Sequence, residues 1–230
     1  MVPWSENRIK WYDRAVKYCG YDDALIEAVG GYLPKDETVC DLGCGTGYLA
    51  RRLAELGYRV TAFDKSGITL ENLRRIKEEQ GLRSLTVTEG SWYDLPQKPL
   101  WDNVIMVMAG MLDVDLELFL TLAAKRLIII TKDDDRSHVQ ANGVSVMKHP
   151  EFELMKKQLQ GCDYDTFTMT LQFGQPFLSK EEAQEYFRVF EADTESADSK
   201  LNLLKQRDGE YPWYLPNEKN MRVFAVRKKS

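Results

Sequence analysis

The run Val39-Cys40-Asp41-Leu42-Gly43-Cys44-Gly45-Thr46-Gly47 constrains the fold more than any other part of the chain, because it joins the end of an apolar stretch to the start of an amphipathic one. Thr38 to Leu42 reads as a short buried strand. Leu49, Leu53 and Leu56 then recur at i, i+4 and i+7, which places them on one helical face until Gly57 stops the helix. Tyr58 to Phe63 is a second strand and ends on Asp64. A strand, helix and strand in this order make a βαβ unit, whose crossover is right-handed and whose strands lie parallel.

The alternation continues downstream. A helix through Leu73 and Ile76 is capped by Gly81, followed by strands at Leu85–Val87 and Asn103–Met108, a helix at Leu116–Ala124 and a strand at Leu127–Thr131. This rhythm predicts an α/β fold, a doubly wound and mostly parallel sheet with helices on both faces. Met221–Val226 reads as an antiparallel closing strand. Ligands of such sheets bind beyond the carboxyl ends of the strands, where the strand order reverses.

We expect one domain over residues 1–230. Residues 1–35 form a helical arm with Tyr12, Ala15, Val16 and Cys19, then Leu25, Ile26 and Val29, at helical spacing. Residues 36–131 form the ligand-binding core. Residues 132–178 break the rhythm and read as a cap insertion, with Phe152, Met155 and Leu159 on one helical face. Within it Phe167, Met169, Leu171 and Phe173 alternate with polar residues as a strand. Residues 179–230 complete the sheet, opening with a capping box of Ser179 and Glu182.

Composition narrows the class. The chain has 230 residues, 43% hydrophobic and 29% charged. It shows no apolar run of the roughly 18 residues a bilayer span requires. Met1 to Asn7 lacks the basic start and apolar stretch of a signal peptide. Cys19, Cys40, Cys44 and Cys162 form no CxxC pair and no framework spacing, so no metal site, no disulfide scaffold and a reducing, cytoplasmic setting are expected. The formal net charge of −5 argues against a polyanionic partner. Arg227-Lys228-Lys229 reads as a solvated tail, leaving no nucleic acid and no membrane among the expected partners.

Glycines in the loop permit a tight turn and close approach of a ligand to the backbone, and the following helix N-terminus offers unpaired N–H groups. A dinucleotide fingerprint needs GxGxxG, but Tyr48 follows Gly47 and the last glycine is missing. The stretch Asp41-Leu42-Gly43-Cys44-Gly45-Thr46-Gly47 instead resembles the first motif of the class I S-adenosylmethionine-dependent methyltransferases, which have a Rossmann-like fold. The resemblance implies S-adenosylmethionine as cofactor, with S-adenosylhomocysteine as product. It places Asp41, Gly43, Gly45 and Gly47 around the methionyl part, Asp41 attracting its ammonium directly or through water. Asp64 closes the second strand where the family has the carboxylate that accepts from both ribose hydroxyls, and Lys65 follows it.

Glu89-Gly90-Ser91-Trp92-Tyr93-Asp94-Leu95-Pro96 is similar to the segment that meets adenine. Ser91 stands where many relatives carry Asp, and the Trp92 side chain either borders adenine or packs in the core. Trp101-Asp102 matches a structural aromatic–Asp pair of the family, and Met108-Ala109-Gly110 would lie beside the sulfur. The fourth strand ends in Met-Ala-Gly rather than the Asn/Asp-Pro-Pro-aromatic pattern of nucleobase and glutamine methylation. No paired-glutamate hairpin of the protein-arginine type is present, so elimination leaves a small-molecule acceptor.

Catalytic candidates are sparse. The only histidines are His138 and His149, both in the insertion. His138 is a candidate base and Tyr12 a second candidate. A cofactor-binding protein without turnover shares every motif above, and an NAD-linked enzyme is disfavoured by Asp41 and Tyr48. Trp4, Trp11 and Tyr12 are expected either to form a lid against Phe167, Met169, Leu171 and Phe173 or to pack an N-terminal helix. Monomer and homodimer stay open.

Overall fold

The computed structural model describes residues 4–109, 112–133, 138–140, 143–145, 155–190 and 200–228. The chain divides into two compact units: Leu25–Met169 with Asn220–Ser230, and Met1–Ala24 with Thr170–Lys219.

Helices α1 (Glu6–Cys19) and α2 (Tyr21–Val29) precede the first strand, β1 (Thr38–Leu42). Then come α3 (Tyr48–Glu55), β2 (Arg59–Asp64), α4 (Gly67–Gln80), β3 (Leu85–Glu89), β4 (Trp101–Val107), α5 (Leu112–Leu122) and β5 (Ala123–Lys132). β6 (His138–Gln140) and β7 (Gly143–Ser145) make a separate antiparallel pair. β8 (Asp163–Gln172), β9 (Gln175–Phe177), α6 (Lys180–Phe190), β10 (Lys205–Gln206), β11 (Trp213–Leu215) and β12 (Glu218–Arg227) finish the order.

The seven-stranded sheet runs β3-β2-β1-β4-β5-β12-β8. β1 pairs parallel with β2 and β4, β2 with β3, and β4 with β5, as the alternation predicts. β12 pairs antiparallel with β5 from Met221↔Lys132 to Arg227↔Arg126. The strand order reverses between β1 and β4, so the loop after β1 lies at the switch point.

Both faces of the sheet are covered. Cys40, Leu42, Phe63, Val104, Met106, Leu127, Ile129 and Phe224 pack with Leu116, Phe119 and Leu122 of α5 and with Met155 and Leu159. Residues of the other parity, Val39, Val60, Ala62, Ile105, Ile128 and Ile130, are equally buried. Strands buried on both faces read as continuous apolar runs rather than alternating ones, which is how 103–108 and 127–131 stand in the sequence.

One boundary departs from expectation. The chain leaves the helix at Leu122, and Ala123 and Ala124 already belong to β5, with Ala123 opposite Trp101 of β4. The alanines favour helix intrinsically, but the ladder with β4 overrides a propensity worth only tenths of a kcal/mol. β8 also lies in the main sheet beside β12, although its residues fall in the stretch read as an insertion.

A polar clasp holds the amino ends of β1, β4 and β5. Glu37, buried, accepts from Asn103 Nδ2 at 2.9 Å, Lys125 Nζ at 3.0 Å and Arg126 at 2.6 Å. Burial pushes its carboxyl up, but the bonds from Asn103 and Lys125 and the charge of Arg126 outweigh that and leave it below its ordinary value. Asp102 accepts from the N–H and hydroxyl of Thr38, both at 2.9 Å, and pairs with Lys125 at 3.1 Å. The Thr38 N–H is the main reason that its carboxyl is lowered to about 2. Trp101 donates its indole N–H to Thr61 Oγ1 at 3.1 Å, so the aromatic–Asp pair is tied into the fold.

In the smaller unit, α1 is capped by Ser5, whose Oγ accepts from the Arg8 N–H at 3.4 Å, and ends on left-handed Gly20. Its Trp11 packs in a cluster with Phe177, Ala183 and Phe187. Half of the expected capping box forms at α6: the Glu182 N–H donates to Ser179 Oγ at 3.2 Å, but Glu182 Oε2 accepts from the Leu178 N–H at 2.7 Å rather than from that of Ser179. Arg14 pairs with Glu182 at 2.8 Å. β9, β11 and β10 make a three-stranded antiparallel sheet that sequence periodicity did not announce.

Candidate functional site

The glycine loop folds back over the end of β2. Gly43 and Cys44 both donate their N–H groups to the Phe63 carbonyl, at 2.7 and 3.1 Å. Gly45 donates to Asp64 Oδ2 and Ser66 to Asp64 Oδ1, each at 2.8 Å, while the Gly90 N–H reaches the Asp64 carbonyl at 3.0 Å. Asp64 thereby fastens the exits of β1, β2 and β3 to one point, and each carboxylate oxygen keeps further acceptor capacity.

Two glycines are sterically required. Gly43 has φ +76°, and a Cβ there would stand 2.6 Å from Ala109 Cβ and 3.4 Å from the Trp92 ring. Gly47 has φ +75°, and a Cβ would meet Leu73 of α4 at 2.4 Å. The first keeps the loop against the end of β4, and the second lets α4 close on the start of α3. Met108 is the described non-glycine residue with positive φ, at 50°. Its N–H is held by the Ile130 carbonyl at 2.8 Å, so a strained backbone sits at the carboxyl end of β4.

The electrostatics of the loop are one-sided. Asp41 is 2% exposed and accepts from the Ala50 N–H of α3 at 3.1 Å. Burial pushes its carboxyl up to about 7; the Ala50 bond opposes this and the negative charge of Asp64 adds to it. Burial likewise raises the thiols of Cys40 and Cys44, with Asp41 adding to both and Asp64 to Cys44. Among the described residues neither Asp41 nor Asp64 has a cationic partner.

Beside the loop, Trp92 packs edge-on against Phe119 of α5 at 5.6 Å and borders the core cluster, with its ring also beside Gly43. Its indole N–H is nonetheless buried without a partner. The Ser91 hydroxyl accepts from the Tyr93 N–H at 3.3 Å and caps the turn Trp92–Asp94. Sequence reasoning missed Asp115. Its buried carboxylate accepts from the exposed Tyr93 hydroxyl at 2.6 Å and ties that turn to α5, a contact across 22 residues with no motif to announce it.

The structure therefore brings Gly43, Trp92 and Ala109 together, and Gly45 with Asp64. Lys65 follows Asp64 and is exposed. Tyr12 belongs to the smaller unit, with ring contacts to Trp4 at 5.3 Å and Phe173 at 4.8 Å. The His138 backbone pairs with Ser145, while its side chain, Gly110 and His149 lie outside the described residues.

A glycine turn closed to side chains, two carboxylates lacking a cation and one unpaired buried donor fit a ligand with an ammonium at one end and a ribose and base at the other. Comparison with known proteins agrees. Residues 39–127 match the family model for a methyltransferase domain. Over 104 residues the chain is 35% identical to a cypemycin N-terminal methyltransferase of a Streptomyces species, covering 45% of this chain and 41% of that one. The chain spans 36 to 41% of the length of the curated relatives it matches.

Solved structures extend the likeness of fold over nine-tenths or more of the chain. A coclaurine N-methyltransferase bound to N-methylheliamine and S-adenosylhomocysteine superposes with a TM-score of 0.57 at 14% identity, over 90% of this chain and 72% of that one. The magnesium protoporphyrin IX methyltransferase of Synechocystis, with bound S-adenosylmethionine, gives 0.54 at 17% identity over 99% and 87%. Among the described residues no helix is long and apolar enough to cross a membrane. Residues 39–127 thus match a methyltransferase domain, on a sheet whose strand order and glycine loop resemble those of the class I S-adenosylmethionine-dependent methyltransferases of Rossmann-like fold.

Proposed function

We propose that the chain is an enzyme of class EC 2.1.1 that transfers a methyl group from S-adenosylmethionine to a small-molecule acceptor. The observation that carries this reading is the glycine loop, shaped by the Gly43–Ala109 approach and bearing two carboxylates that have no counter-ion among the described residues. Asp41 takes the cofactor's ammonium, Asp64 the ribose hydroxyls, and Ser91 and Trp92 the base. Gly43, Gly45 and Gly47 keep the approach open, and Met108 borders the sulfur, with Lys65 at the rim.

The cofactor supplies an already activated leaving group, a sulfonium. The chain's own residues then chiefly align donor and acceptor, and alignment alone supplies about 7 to 11 kcal/mol of barrier reduction. A general base contributes about 10² to 10⁴ where the acceptor must lose a proton; His138 and Tyr12 are the candidates. The solved relatives named above include one carrying N-methylheliamine and one named for magnesium protoporphyrin, both small molecules. The net charge of −5 supports the same choice over a nucleic acid. Four free cysteines support a cytoplasmic setting.

The test is to incubate the chain with S-adenosylmethionine and extracted metabolites and search for a component gaining the mass of one methylene. The expected result is a gain that disappears with Asp64→Ala. Tight cofactor binding without any methylated product would overturn the assignment of turnover.

A further inference from the structure

Asp41 and Asp64 share one loop but are not equally provided for. Asp64 has a backbone N–H on each oxygen, from Gly45 and Ser66. Asp41 is buried and has one, from Ala50. Burial and the neighbouring charge of Asp64 both make Asp41 harder to ionise, and its single hydrogen bond opposes them only in part.

The other groups facing Asp41 do not offset this. Cys40 and Cys44, on β1 and its loop, are thiols that burial keeps neutral. On α3, Tyr48 stacks with Arg51, whose guanidinium lies 5.1 Å from the ring centroid and 3.5 Å from Glu55. The strand neighbours opposite Asp41 are Ala62 and Ile105, both apolar.

We propose that seating the cofactor's ammonium expels a proton from Asp41, so that the empty loop holds this residue as a neutral acid and the occupied loop holds it as an anion. The proton passes to the solvent buffer, and the O–H of the acid is replaced by an N–H···O⁻ contact, direct or through water. The inference rests on the assignment of Asp41 to the ammonium made above. Burial brings the carboxyl to about 7, so the exchange falls within the ordinary working range. Affinity for the cofactor then rises with pH until Asp41 is ionised beforehand. Below that point it falls by up to about tenfold per unit.

Calorimetric titration of S-adenosylhomocysteine into the full chain, in two buffers of different ionisation enthalpy chosen to buffer at each pH (acetate and MES at the acidic end, phosphate and imidazole near neutrality, bicine and Tris at the basic end), counts the protons exchanged. The expected count is about half a proton released at pH 7, close to one at pH 5.5 and close to none at pH 8.5. 5′-Methylthioadenosine, which keeps base, sugar and sulfur but lacks the amino acid, should release none. Asp41→Asn, which retains an oxygen for the Ala50 N–H, should bind S-adenosylhomocysteine more weakly, without proton release and with little pH dependence between 5.5 and 8. Binding of S-adenosylhomocysteine with no proton change at pH 6 to 7 overturns the proposal while leaving the site intact. Equal release with 5′-methylthioadenosine also overturns it, by moving the proton to the sugar-binding half. Wild-type affinity of Asp41→Asn at every pH removes the ammonium assignment itself, and the proposal with it.

Discussion

The two ends of β1 both carry carboxylates, in opposite circumstances. At the amino end Glu37 and Asp102 face Lys125, Arg126, Asn103 and Thr38, and both carboxyls lie below their ordinary values. At the carboxyl end, among the described residues, Asp41 and Asp64 have only backbone N–H donors, and Asp41 is raised to about 7. The same strand thus has one end whose carboxylates are paired with cations within the fold and one whose carboxylates, in the function proposed above, meet the cofactor. Perturbed groups cluster where function is performed, and their direction distinguishes the two uses: depressed carboxylates add to stability, raised ones subtract from it.

The contrast can be broken most severely at Gly43. Valine there adds a branched side chain at φ +76° where even a Cβ lies 2.6 Å from Ala109. Gly43→Val should abolish S-adenosylhomocysteine binding, by at least a hundredfold in calorimetric titration. Normal affinity in a folded variant would remove the glycine loop as the site. Next in size is Asp64→Ala, which loses hydrogen bonds to a charged acceptor worth about 1.5 to 3 kcal/mol each. Affinity should fall by one to two orders of magnitude per bond, with circular dichroism unchanged; equal affinity would mean that the ribose is held elsewhere.

Asp102→Asn tests the other end. A carboxyl lowered from 3.8 to about 2 stabilises the fold above its unfolded value, and the contribution disappears as pH falls through about 2. The loss should be about 2 kcal/mol at pH 7 in urea titration and should shrink between pH 4 and 2, with cofactor affinity unaffected. Asp41→Asn should show the opposite sign. A raised carboxyl favours the folded state below its unfolded value of 3.8 and progressively penalises it as pH rises towards 7. The empty variant should therefore melt above wild type at pH 8, by about 2 to 4 °C for each kcal/mol recovered. The difference should vanish near pH 4. A lower melting temperature at pH 8 would show that the anion is better accommodated than the single Ala50 bond implies.

The sheet exits were legible in the sequence because their information is local. Asp41 to Gly47 is contiguous, and Asp64 follows at the end of the next strand. The amino-end clasp was not, since Glu37, Asp102, Asn103, Lys125 and Arg126 meet only once three strands are in register. Trp92 could not be placed from its neighbours, because its setting depends on Phe119 and Gly43, one from each side of the sheet order. β9, β10 and β11 have two or three residues each, too few to display a period. Even the helix that opens the smaller unit was visible only as a pattern of apolar positions, with no sign of what those positions meet.

What they meet sets a timetable. Trp11 of α1 packs with Phe177 and Phe187, which are synthesised long after it. At about 5 to 20 residues per second on the ribosome, Trp11 waits roughly ten to thirty seconds for them. Strands β1 to β5 are contiguous between residues 38 and 132 and pair as they emerge. The nascent chain therefore carries five strands of the sheet, still lacking β12, β8 and the core residues Met155, Leu159 and Phe224, and an unfinished helix at the same time. During that interval the apolar face of α1 is open to a chaperone or to the matching helix of the next chain on the message.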